Sequence, residues 1–234
     1  MNVLLFGATG MVGQGVLREC LLDPGVDRVL AVGRSAVEPA VIARTAAAAV
    51  ASGRPAAKLR ELIVSNVADL SGIETELAGF DACFFCLGVS SIGMSEAHYV
   101  RLTYDLTLAV ARTVARRSPG ATFVYVSGAG TDSTERGRSM WARVKGRTEN
   151  ELLRLPFEAA YMFRPGAIVP LHGVRSKTAW VRLIYRAAAP IVPLWRTLAP
   201  DTITTSEQIG RAMLRVAREG YPSATLETAD INRL

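Results

Sequence analysis

The sequence predicts an α/β protein: a doubly wound parallel sheet followed by a small C-terminal helical substrate or lid region. Three observations carry that expectation. An apolar run at the start of the chain breaks into glycines spaced three residues apart. Apolar runs then alternate with helical patterns to about residue 166. Beyond it the chain turns proline- and arginine-rich. Alternation of this kind favours parallel strands joined by right-handed helical crossovers.

The first element is Val3 to Phe6, expected as a buried parallel strand. Gly7 permits a tight turn, Gly10 lets the backbone approach a pyrophosphate, and Gly13 lets the next helix pack close to the strand. Thr9, Met11 and Val12 complete the loop, and the helix start offers free N–H groups and a positive dipole end to phosphates. This is a Rossmann-type dinucleotide cradle with G-x-x-G-x-x-G spacing. Met11 to Leu22 is helical and ends at Asp23-Pro24-Gly25. The second strand, Asp27 to Gly33, leads into Arg34 and Ser35. An acidic residue at this exit would hold ribose hydroxyls and repel a 2′-phosphate, whereas arginine holds the phosphate bidentately. NADP(H) is therefore expected over NAD(H).

Val41 to Ala51 is helical on alanine propensity, within a segment, 36–60, to which no function attaches. Glu61 to Ser65 is the expected third strand, with Asn66 and Val67 following where such a fold touches adenine. Ser71 to Ala78 is a short helix. Ala82 to Leu87 is the fourth strand, and Gly88 lies at its carboxyl end, where open α/β sheets bind ligands. Ser95 caps a long helix, Glu96 to Arg117, with His98 in its first turn as a surface residue. Thr122 to Ser127 is the fifth strand, Arg138 to Leu155 a helix, and Ala159 to Phe163 the sixth strand, ended by Arg164-Pro165-Gly166. These give a nucleotide-binding core, 1–166, with 167–234 packed on it as one compact unit. In the latter, Ser176 to Ala189 is an apolar helix studded with arginine, Thr204 to Glu207 caps a helix running to Glu219, and Leu226 to Ile231 is a last short strand. The apolar group around Trp180 and Trp195 suits a lid or a dimer face better than a membrane contact, because Pro190, Pro193 and Pro200 interrupt it.

Composition narrows the function. The chain has 234 residues, 50% hydrophobic and 21% charged, with a net charge of +6 and a pI near 9.6. Its 27 Lys and Arg are scattered without aromatic interleaving, so no nucleic acid partner is indicated. Cys83 and Cys86 fall three apart in a strand, hence on opposite faces, which argues against a redox pair or metal clip. With two histidines besides, no metal site is expected. No apolar run is bilayer-length, and the first apolar residues belong to the cradle rather than to a secretory signal, so a cytoplasmic monomer or homodimer is expected.

The order of motifs resembles the atypical, extended-like short-chain dehydrogenase/reductases, and most nearly the small NAD-dependent epimerase/dehydratase-like or NmrA-like group that includes the Tat-interacting oxidoreductase. The residues that carry the likeness are Gly7-Ala8-Thr9-Gly10-Met11-Val12-Gly13, Gly33-Arg34, Cys86-Leu87-Gly88, Val126-Ser127-Gly128-Ala129, Arg143-Val144-Lys145-Gly146 with Glu149, Arg164-Pro165-Gly166, and Thr205 to Met213. The resemblance implies that Leu87 and Gly88 border the cofactor, that Lys145 holds the nicotinamide ribose, that Arg164, Pro165 and Gly166 pass the nicotinamide, and that Ser127 orients a carbonyl. It also implies a Tyr-x-x-x-Lys pair, with tyrosine as proton donor. Here Trp141 stands four residues before Lys145. Indole donates a hydrogen bond but does not ionise near neutral pH.

The candidate catalytic set is thus Ser127, Lys145 and Trp141, one member short of a proton donor. The expected function is an NADPH-dependent reductase of a small carbonyl or activated alkene with an impaired catalytic set. The alternative is a non-catalytic NADP(H)-binding redox sensor or protein-interaction module. The partner is accordingly a small-molecule substrate or a protein. Tyr99, Tyr104 and Tyr125 are further phenols that the sequence alone does not place at the reaction centre.

Overall fold

Val3, Leu4, Leu5 and Phe6 have no exposed surface, as a strand covered on both faces requires. In the computed structural model, which describes residues 1–51, 58–172 and 199–234, they form the centre of a seven-stranded sheet. This first strand, β1 (Asn2–Phe6), lies between β2 (Arg28–Gly33) and β4 (Ala82–Phe85). Beyond β2 comes β3 (Lys58–Ile63); beyond β4 come β5 (Thr122–Val126) and β6 (Ala159–Arg164). Two short strands, β7 (Ala167–Val169) and β8 (Ile203–Thr205), pair apart from the main sheet. The last, β9 (Thr225–Glu227), joins the main sheet beside β6. The order β3-β2-β1-β4-β5-β6-β9, parallel throughout, is the doubly wound Rossmann arrangement expected from the sequence. The order in which successive strands are added reverses between β1 and β4, and the crevice at that switch is where such sheets take ligands.

Alternate residues build two cores. Val3 and Leu5 face α1 (Met11–Leu22) and α6 (Ser206–Glu219), packing with Val16, Leu17, Ile209 and Met213. Leu4 and Phe6 face the other side, with Leu108, Val110, Ala111 and Val114 of α4 (Leu106–Arg117). Cys83 belongs to this second core and Cys86 packs against the first, as strand alternation demands. Both thiols are free.

Several boundaries differ from the sequence expectation. The third strand begins at Lys58 and stops at Ile63, not Ser65, because its ladder to β2 ends at Gly33. The alanine-rich segment is α2 (Pro39–Ala51). The helix expected over Glu96 to Arg117 is α3 (Glu96–Val100), a π-helical turn (Arg101–Asp105), then α4. Ser95 does cap it, accepting from His98 N at 3.3 Å. The helix expected over Arg138 to Leu155 is α5 (Met140–Leu152). The expected strand Leu226 to Ile231 is β9 followed by α7 (Thr228–Arg233), whose start carries a capping box between Glu227 and Asp230. The arginine-studded helix Ser176 to Ala189 and the apolar group around it lie outside the described residues.

The loop after β5 docks on α5 by close backbone approach. Asp132 N donates to Ala142 O at 3.1 Å, and a Cβ on Gly146 would lie 1.8 Å from Asp132 O. Gly146→Ala therefore opposes two effects. Helix propensity favours alanine by about 1 kcal/mol, but displacing the loop costs about 1–3 kcal/mol or more. The melting temperature is expected to fall, by roughly 2–10 °C for a chain of this size. A thermal melt at or above the wild-type temperature would show that the loop yields freely.

Candidate functional site

The cradle is built by the turn from β1 to α1. Gly7 sits at φ +88° with Cys86 and Leu87 backbone so near that a Cβ would lie 2.8 Å from them. Its carbonyl accepts from Gly10 N at 2.9 Å, and a Cβ on Gly13 would lie 2.0 Å from that same oxygen. The first turn of α1 therefore tolerates only glycine at these points of contact. Gly10 is the N-cap and has no side chain to bond the helix start, so the N–H groups of Met11, Val12 and Gly13 have no partner among the described residues. Three unpaired donors on a positive dipole end have the chemistry to hold an anion such as a phosphate. Gln14 Nε2 donates to Thr9 O at 3.1 Å and steadies the loop.

Beside the cradle lies a small cleft of ≈ 90 Å³ lined by Gly7, Thr9, Arg34, Ser35, Val67 and Leu87 among others. Arg34 and Ser35 are exposed, and Arg34 makes no ion pair among the described residues. Asn66 is not part of the lining; its Oδ1 accepts from Ala68 N at 3.1 Å and shapes the turn instead. Gly88 lies just outside, exposed, with open space beside it. The cleft is also lined by Glu61 of β3, which the sequence placed only at the start of the third strand and not at the site. Its signal in the sequence was a lone acidic residue beside an apolar run, legible only once the register of β3 on β2 is known.

The other half of the site is at the carboxyl ends of β5 and β6. Ser127 is buried, and its Oγ donates to Glu149 Oε1 at 2.5 Å, with Phe163 O at 3.1 Å. Glu149, on α5, is 1% exposed and is paired with the Arg164 guanidinium through Nε at 3.1 Å and Nη2. The Glu149 carboxylate raises the affinity of Arg164 for its proton. Arg164 also donates to Ser133 Oγ at 2.5 Å and meets Glu227 at 3.3 Å, so its side chain is committed to the protein's own groups. Pro165 O accepts from Ala129 N at 2.9 Å, and Gly166 N donates to Thr228 Oγ1 at 2.8 Å. Lys145 Nζ donates to the Ser127 carbonyl, and burial pushes its ammonium down from 10.5 to about 8, opposed by Glu149. Trp141, one turn earlier on α5, is half-buried and lies 3.5 Å from where a Cβ on Gly130 would be. Ser127, Lys145 and Trp141 thus converge on the loop Ser127–Gly130. Tyr99 and Tyr125 are fully buried, and burial pushes both phenols up. Tyr104 lies under the Arg147 guanidinium at 4.2 Å.

No family model matches the chain. It is 31% identical over 215 residues to the protein named "fmp52, mitochondrial" of Emericella nidulans, covering 90% of this chain and 84% of that one. The FMP52 protein of Eremothecium gossypii is 30% identical over 171 residues, 72% of this chain and 67% of its own length. Among solved structures, UDP-glucose 4-epimerase from Bifidobacterium longum, in complex with NAD+ and UDP, superposes with a TM-score of 0.69 at 17% identity, over 93% of this chain and 74% of that one. L-Sorbose reductase from Gluconobacter frateurii, complexed with NADPH and L-sorbose, gives 0.62 at 11% identity, over 96% and 92%. These likenesses establish the Rossmann fold. The expected cytoplasmic location is overturned, since the relatives are named as mitochondrial proteins. That expectation rested on lacking a secretory signal and a bilayer-length run, which does not distinguish one non-secretory compartment from another. No helix among the described residues is long and apolar enough to cross a membrane.

The lowered Lys145 value ties stability to pH. Between about 8 and 10.5 the unfolded chain keeps a proton that folded Lys145 has released, so stability rises with pH across that window. Lys145→Met lacks this contribution. Its stability advantage over the wild type in urea denaturation should shrink by roughly 1–2 kcal/mol between pH 7 and pH 9.5. An advantage that stays constant with pH would contradict the burial of the ammonium.

Proposed function

The chain belongs to the Fmp52 family, and on that premise we propose that it is an NADP(H)-binding protein of the extended short-chain dehydrogenase/reductase type, working as a reductase of a small carbonyl or activated alkene. Kinship within that class to the NmrA-like and Tat-interacting proteins is part of the same proposal. The observation that carries it is the cradle: three unpaired N–H groups at the start of α1, behind Gly7 and Gly13 that no side chain could replace, beside the cleft that Gly7, Thr9 and Arg34 line. The epimerase and reductase neighbours, solved with NAD+ and NADPH, support a nicotinamide dinucleotide as the occupant.

Met11, Val12 and Gly13 would hold the pyrophosphate, Thr9 and Val67 the adenosine half, and Arg34 with Ser35 a 2′-phosphate. When bound, the dinucleotide supplies hydride. The protein's own contribution lies in Lys145, whose ammonium stands at the Ser127 carbonyl and would donate to a ribose hydroxyl, and in Trp141, whose indole would cover the ring or the substrate. Trp141 does not replace the missing phenol as proton donor at neutral pH, so the proton would come from water or another donor. General acid catalysis is worth on the order of a hundred- to ten-thousand-fold, and turnover is slower by that factor than with tyrosine.

A second reading, a non-catalytic redox sensor or docking module, is favoured by one observation. The Ser127 hydroxyl donates into the protein, to Glu149, rather than towards the cleft. Trp141→Tyr separates the two. A reductase limited by its proton donor should gain activity against small carbonyls by at least about tenfold; a sensor should gain none.

Titration of the purified protein with NADPH and with NADH tests the binding itself, following tryptophan emission. NADPH is expected to bind more tightly, with quenching that drops in Trp141→Phe. Binding of neither cofactor would remove the proposal.

A further inference from the structure

The exit of β2 carries no acidic residue, yet the cleft beside it contains one. Glu61 stands opposite Ala31 in the β2–β3 ladder and lines the same cleft as Arg34 and Ser35. Its Oε1 accepts from Val37 N at 2.7 Å, which holds the side chain against the segment that follows Ser35. No ion pair joins Glu61 to Arg34, and Oε2 has no hydrogen-bond partner among the described residues. One small cleft thus presents a carboxylate with a free oxygen and a guanidinium with a free fork.

These groups prefer different ligands. A carboxylate accepts hydrogen bonds from vicinal ribose hydroxyls and repels a phosphate; a guanidinium attracts the phosphate. We propose that Glu61 is a cofactor-selectivity residue. Its carboxylate, delivered from the third strand, takes the place of the acidic group missing at the second-strand exit. The cleft then accepts both NAD(H) and NADP(H), with Glu61 and Arg34 pulling the preference in opposite directions. The inference rests on reading this cleft as the adenosine end of a dinucleotide site, and it assigns the selectivity of that site to a residue outside the glycine motif and outside the β2 exit.

Glu61→Gln isolates the charge. Glutamine keeps an oxygen to accept from Val37 N, so the loop stays anchored, and a matching melting temperature checks this. Dissociation constants for NADPH and NADH are read by fluorescence titration. The ratio of affinities is expected to shift towards NADPH by ~3- to 10-fold, from loss of like-charge repulsion in a half-exposed site, and less at high salt. Arg34→Gln is the independent test, since that side chain is exposed and unpaired and its loss leaves the fold unchanged. With Glu61 then unopposed, the protein should prefer NADH outright. An unchanged ratio in Glu61→Gln, or equal affinity for both cofactors in Arg34→Gln, overturns the assignment of Glu61 while leaving the cradle reading intact. Failure of the wild type to bind either cofactor overturns the cradle reading, and Glu61's role with it.

Discussion

The carboxyl edge of the sheet depends on one buried charge. Glu149 is 1% exposed, and a carboxylate so placed is tolerable only with a counter-charge and hydrogen-bond donors. Arg164 supplies the first and Ser127 adds a donor. Because these partners end β6 and β5 while Glu149 belongs to α5, the pair fixes the helix against both strands. Arg164 extends the tie to Ser133 in the loop after β5 and to Glu227 in β9. Lys145 is one turn before Glu149 on the same helix face, so its position at the Ser127 carbonyl follows from the same docking. The residues that family resemblance would assign to chemistry are thus held by a structural ion pair.

That division of labour sets what the site is able to do. The end proposed for the phosphates is open: the N–H groups that start α1 have no partner among the described residues, and the cleft beside them is lined by an unpaired arginine and a carboxylate with a free oxygen. The end proposed for the nicotinamide is more self-satisfied. The serine hydroxyl and the Arg164 guanidinium are spent on the protein, and the indole of Trp141 rests over the Gly130 turn.

The opening βαβ unit was legible in the sequence because its constraints are local. Gly13 is required by the Gly7 carbonyl within the same turn and Gly7 by its positive φ, and an apolar run that precedes them admits little else. The third strand was displaced because Leu62, Ile63 and Val64 suggest a strand core, while the charged residues Lys58 and Arg60 conceal its start. At the edge of the sheet pairing to β2 decides the bounds, and Ile63 remains 55% exposed. The π-helical turn at Arg101–Asp105 leaves no mark in the sequence, since it widens one turn within an otherwise continuous helical stretch. The Glu149–Arg164 pair joins residues 15 apart on different elements, and Glu61 enters the cleft only through strand register. Both depend on long-range geometry that composition and spacing do not encode.

The place of β9 carries a consequence for how the chain reaches this state. The strand is three residues long, and its partner on β6 precedes it by 63 residues, as the contact of Arg164 with Glu227 shows. Until those late residues dock, β6 is an open edge with unpaired backbone groups and the buried side chains of Tyr161, Met162 and Phe163. An intermediate that has assembled β1 to β6 therefore presents a sticky ribbon to its neighbours. The distal segment is thus what closes this edge of the sheet, and a chain whose β9 is undocked would expose that edge to another copy.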